Sequence, residues 1–141
     1  MSIRRPPPDQ RLLHTDDDLT ALWQLLMEAE PYRRRSLWLL FIDTEHRPAG
    51  PIITVDDLPD GPYETPVDDL VAMCRSILDG PGGGGSVAIL MTRPGSGSWT
   101  VSDRAWGRFL LRAAETVGGR VWPVHQARRG RLEEFRLPET G

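Results

Sequence analysis

The chain has 141 residues, a formal net charge of −3, and 39% hydrophobic and 26% charged residues. That is enough for one domain with its own core, and its acidity argues against a protein dedicated to nucleic acid, though not against a local basic patch. No run is long and apolar enough to span a membrane, and a single cysteine, Cys74, excludes an intramolecular disulfide and a cysteine-based zinc site.

All 17 basic residues are arginine, and lysine and asparagine are absent. Both missing residues have AT-rich codons, so the bias reads as that of a GC-rich, actinobacterial-type genome rather than as a functional choice. Met1 to Gln10 carries two arginines with no apolar segment after them, so it is not read as a secretory signal, and the expected location is the cytoplasm.

Residues 1–14 include Pro6, Pro7 and Pro8 and read as a disordered or extended arm. Thr15 followed by Asp16, Asp17 and Asp18 reads as a helix start, with Thr15 as N-cap and acids against the positive end of the helix dipole. Leu19, Leu22, Trp23, Leu26 and Ala29 then give one apolar face to a helix from about Asp16 to Glu30, which Pro31 ends.

Leu37 to Ile42 is continuously apolar, which predicts a central strand covered on both faces. A polar turn, Asp43 to Gly50, leads to Pro51–Val55 as its hairpin partner. Asp56 to Pro66 is a loop, and Val67, Leu70, Val71, Cys74, Ile77 and Leu78 mark a helix to about Asp79.

The glycine-rich connector Gly80 to Gly85 feeds a second buried strand, Val87 to Met91. Arg93-Pro94-Gly95-Ser96-Gly97-Ser98 breaks it, because proline removes a donor and glycine admits positive φ. Ser102 reads as the N-cap of a helix carrying Asp103 in its first turn and Trp106, Phe109, Leu110, Ala113 and Val117 on its apolar face. Gly118 and Gly119 close it. Val121 to His125 reads as a strand that Pro123 assigns to the sheet edge, and Leu132 to Leu137 as the last strand. The expected fold is a single α/β domain over residues 15–137, a mixed sheet flanked by helices in the order α-β-β-α-β-α-β-β, with a tail at 138–141.

From about Asp16 to Phe135 this arrangement resembles the JAB/MPN metalloprotease-like domain, in the branch found in bacterial RadC proteins. The resemblance is one of order and spacing: an N-terminal helix, the strand ending Leu39-Leu40-Phe41-Ile42-Asp43-Thr44-Glu45-His46-Arg47, a second strand, the helix begun at Pro66, then strand, Pro-Gly turn, helix and final hairpin. Active members of that family bind zinc through a His-x-His-Pro turn and an aspartate in a Ser-x-x-Asp element. Carried onto this chain, the two histidines fall on Met91 and Arg93, with Pro94 retained, the serine on Ser102 and the aspartate on Ala105. Those side chains supply no zinc ligand, and the family's glutamate base has no clear equivalent among Asp43, Glu45, Asp56 and Asp57. The resemblance therefore implies the scaffold without the activity: no catalytic residues, no metal and no cofactor.

Other chemistry is thinly supported. The Arg93–Ser102 turn has residue types suited to phosphate but no GxxxxGK[ST] or GxGxxG motif. His14, His46 and His125 lack ligand spacing, Cys74 lies on an apolar helix face, and no GxSxG occurs. Trp99 and Trp122 stand out among the tryptophans, one in the glycine turn and the other on the expected edge strand, where either would suit an interaction surface or close the end of a small core. The expected function is a pseudoenzyme acting as a scaffold or interaction module for a protein partner, through Arg93, Ser96, Ser98, Trp99, Ser102 and Arg104. The alternative is nucleic-acid binding through Arg33, Arg34, Arg35, Arg128, Arg129 and Arg131, with a metal-independent hydrolase a distant third. An edge strand near Val121–Val124 also permits homodimerisation.

Overall fold

The computed structural model describes residues 2–4, 12–28, 34–49, 52–62, 67–78, 84–95, 97–129 and 131–136. The elements run β1 (Ser2–Arg4), α1 (Asp16–Glu28), β2 (Ser36–Ile42), β3 (Ile52–Val55), α2 (Val67–Leu78), β4 (Ser86–Thr92), α3 (Val101–Val117), β5 (His125–Arg128) and β6 (Arg131–Glu134). From α1 onward this is the α-β-β-α-β-α-β-β order expected of the sequence. The six strands lie in the order β1-β3-β2-β4-β5-β6. Among the described residues only β4 and β5, the pair joined through α3, run parallel.

Strand periodicity explains the layers. Leu37, Leu39 and Phe41 of β2, with Val87, Ile89 and Met91 of β4, join one apolar cluster with α2 and α3. Trp38, Leu40 and Ile42, with Ala88 and Leu90, join a second cluster with Leu19, Leu22 and Trp23 of α1. Successive side chains of a strand point to opposite faces, so a strand apolar at every position must be covered twice. The result is three layers, α1 on one face of the sheet and α2 with α3 on the other. Each large side chain buried in these layers contributes about 1.5–3 kcal/mol of transfer free energy.

Thr15 caps α1 as expected: its hydroxyl accepts from the Asp18 amide at 3.1 Å and its own amide donates to the Asp18 carboxylate at 3.0 Å. The N-cap of α3 is Thr100, not Ser102. Thr100 and Asp103 form a reciprocal capping box, while the Ser102 hydroxyl donates to the Asp60 carbonyl. At the far end Gly118 and Gly119 adopt φ of 93° and 71°, the left-handed region that glycine reaches without steric cost.

Two boundaries differ from expectation. Residues 2–4, within the arm, pair antiparallel with β3 and extend the sheet, and Leu13 is buried in the α1 cluster. Residues 121–124 are not a strand: β5 begins at His125, because Pro123 has no N–H to give a ladder. β5 therefore lies inside the sheet, between β4 and β6, and Trp122 is buried with its Nε1 donating to the Ser86 hydroxyl at 2.7 Å. The sheet edge offered for homodimerisation is accordingly not at Val121–Val124. Arg33, Ser96, Pro66 and the 138–141 tail lie outside the described residues.

Candidate interaction site at the carboxyl end of β4

Register gathers the arginines. Ser36 of β2 faces Thr92 of β4, and Thr92 faces Ala127 of β5. Arg34 and Arg35 just before β2, Arg93 just after β4, and Arg128 and Arg129 at the end of β5 therefore share one end of the sheet. The N-terminus of α3 opens there too, at the carboxyl end of β4, where α/β folds commonly place binding sites.

The turn after β4 is closed by Arg93. Gly95 and Gly97 take φ of 85° and 92°, which folds the turn back over β4. Arg93 is buried beneath it: Nε donates to both oxygens of Asp103 at 2.9 and 3.0 Å, and the two terminal nitrogens donate to the Pro94 and Ser98 carbonyls, each at 3.1 Å. Asp103 is 0% exposed and also accepts the Thr100 amide at 2.8 Å. Burial alone would raise the Asp103 pKa. Hydrogen bonds from Thr100, Gln126 and Arg93, with the charge of Arg93, outweigh it and hold the group below the usual carboxylate value. Arg35 adds a second guanidinium 3.6 Å from the same carboxylate.

A second buried arginine joins the turn to the last hairpin. Arg128 donates to the Gly97 carbonyl at 2.5 Å, to the Gln126 side chain at 2.8 Å and to Glu133 at 2.6 Å. Glu133 also accepts from Trp99 Nε1 at 3.1 Å, and the Trp99 ring meets Phe135 edge-on with centroids 5.5 Å apart. Burial pushes the Glu133 pKa up, but Trp99, Arg128 and Arg131 together bring it below its ordinary value. Gln126 contacts both Asp103 and Arg128, so one polar network underlies the whole turn. Buried groups satisfied in this way fix the position of Trp99.

Two concavities flank this turn. One, of about 440 Å³, is lined by Trp99, Arg104, Arg108, Glu134, Phe135 and Arg136. The other, of about 450 Å³, is lined by Arg34, Arg35, Asp57, Leu58, Arg93 and Thr100 among others.

The sequence-predicted surface therefore divides. Trp99 and Arg104 share the first concavity. Arg93 is not presented to a partner, since its Nε is taken by Asp103 and its terminal nitrogens by the Pro94 and Ser98 carbonyls, and Ser102 is turned onto the 56–62 loop. Ser98 is exposed, and its carbonyl is held by Arg93. Met91 is buried in the core, and Ala105 is half-buried on α3. Among the described residues no three His, Cys, Asp or Glu side chains group to hold a metal. The basic patch loses Arg128 to the interior, and Arg34, Arg35 and Arg131 are paired with Asp57, Asp103 and Glu133.

Sequence reasoning missed Arg108, Phe135 and Arg136 as neighbours of Trp99. One signal was available, Gly107 in the middle of α3. A Cβ there would lie 2.5 Å from the Phe135 ring, so the glycine marks where the last hairpin crosses the helix. No helix among the described residues is long and apolar enough to cross a membrane. Comparison with protein-family models, with curated proteins and with solved structures found no match.

Proposed function

We propose that this domain is a non-catalytic interaction module that binds an acidic segment of a protein partner in the Trp99 groove. The observation that carries this is the lining of that groove: a half-buried tryptophan and a phenylalanine form an apolar floor, surrounded by Arg104, Arg108 and Arg136 and by one carboxylate, Glu134, 3.4 Å from Arg136. Arg104 and Arg108 are exposed and one helical turn apart on α3, so they present neighbouring positive charges. Tryptophan and arginine at a concave site are the residue types on which binding energy concentrates, and arginine takes carboxylates through a planar fork. The chain as a whole is acidic, so this positive groove selects its partner by charge against the surrounding surface.

The scaffold in this reading is the JAB/RadC-like domain that the sequence resembles, with Met91, Arg93 and Ala105 at the former ligand positions. Arg93 then keeps the turn closed around an aspartate instead of opening it to a metal. A peptide-display selection on the intact domain tests the function. Enrichment of segments combining Asp or Glu with an apolar anchor, lost in the double variant Arg104→Glu/Arg108→Glu, supports it. Enrichment indifferent to that variant contradicts it.

Nucleic-acid binding is the second reading, favoured by the clustering of Arg34, Arg35, Arg93, Arg128 and Arg129 at one end of the sheet. It is weakened because Arg93 and Arg128 are buried. Its mark would be affinity falling steeply with salt.

A further inference from the structure

The second concavity lies on the other side of Thr100 from the groove, and its charges do not balance. Asp57 lines it and lies 3.5 Å from Arg34, while Asp103 lies beneath it with Arg93 and the Thr100 amide on its oxygens, so three guanidiniums meet two carboxylates. Arg35 approaches the Asp103 carboxylate only to 3.6 Å, as a charge rather than a hydrogen-bond donor. Among the described residues its guanidinium has no hydrogen-bond acceptor, although its side chain is only 22% exposed. A guanidinium offers five N–H donors, and at this exposure they are left to solvent, so an anion can take them without displacing a protein acceptor.

The other walls complete a receptor for an anion. Thr100 Oγ1 accepts the Asp103 amide at 3.0 Å, which leaves its own proton free to donate. Arg34 is mostly exposed and loosely held by Asp57 at 3.5 Å, so it is free to turn inward. Leu58 supplies an apolar side, and the volume of about 450 Å³ exceeds what a bare oxyanion needs and falls in the range of small-molecule sites.

We infer that this concavity binds a small organic oxyanion, a phosphate or carboxylate, clamped by Arg35 and Arg34 with a hydrogen bond from Thr100. The inference is independent of the groove reading. Three guanidiniums, Arg34, Arg35 and Arg93, face two carboxylates, Asp57 and Asp103, and the remaining positive charge is what a ligand anion neutralises.

The test is calorimetric titration of the intact chain with inorganic phosphate and, separately, with succinate, at constant ionic strength set by sodium chloride. Saturable binding of either anion is expected, and which one binds more tightly identifies phosphate or carboxylate as the source. Arg35→Gln should raise the dissociation constant about tenfold or more, the scale of a lost charge-assisted contact. Arg34→Gln, at an exposed position, should raise it severalfold, and it keeps the test decisive if the Arg35 variant fails to fold. Absence of saturable binding of either anion overturns the inference. So does unchanged affinity in a folded Arg35→Gln variant or, where that variant does not fold, in Arg34→Gln.

Discussion

Arg93 Nε lies 2.9 and 3.0 Å from the two carboxylate oxygens of Asp103, and both residues are buried. The pair ties the residue that ends β4 to the first turn of α3. It holds together the two ends of the turn that presents Trp99.

Breaking this pair should be costly. Arg93→Ala leaves Asp103 buried with only Arg35 as a distant counter-charge and should lower unfolding free energy by about 3–5 kcal/mol. Urea denaturation followed by circular dichroism measures it. A loss below about 1 kcal/mol would mean that water or Arg35 replaces the guanidinium without penalty.

Gly107→Ala tests the helix–hairpin crossing. The added methyl meets the Phe135 ring at 2.5 Å, too close for either to stay in place. Overpacking of this kind should cost about 1–3 kcal/mol, although alanine is the better helix former. A stabilised variant would show that Phe135 moves aside freely.

His125 gives the domain a pH-dependent stability near neutrality. It is buried against α1 with Nε2 3.1 Å from the Thr20 hydroxyl. Burial lowers its pKa below 6.5, against the opposing pull of Glu134 and Asp16. The unfolded chain therefore binds more protons than the native one once pH falls below the unfolded value. Stability is full above that value and declines as pH drops from it toward the folded pKa. Urea midpoints at about pH 7.5 and 5.5 should differ for the wild type, and His125→Gln should reduce the difference. An unchanged difference would assign the effect to other groups.

Cys74 should be inert. Burial pushes its thiol up to about 11, so little thiolate exists at neutral pH. A thiol reagent should label it only in denaturant. Rapid labelling of the native protein would show that α2 opens.

The fold was legible where one strand carried its own evidence. Leu37–Ile42 and Val87–Met91 are apolar at every position, which forces central placement and two covered faces. The α3 cap was legible in principle: Thr100 stands three residues before Asp103, and that spacing outweighs the nearer Ser102. Trp122 and Pro123 misled because proline marks either an edge or a strand start, and only the neighbouring β6 decides between them. The site was harder to read. Whether Arg93 meets solvent or an aspartate depends on α3 returning across β4, a contact that no local pattern encodes. Arg108, Phe135 and Arg136 reach Trp99 only because the last hairpin folds onto α3.

The central claim, that the Trp99 groove takes an acidic segment, is tested most directly by nitrogen-15 NMR titration of the domain with an acidic peptide carrying one aromatic residue. The account predicts a saturable shift of the Trp99 indole N–H resonance, weakened by salt and abolished in Arg104→Glu/Arg108→Glu. An indole resonance that does not move, or one that moves equally in the double variant, would contradict it.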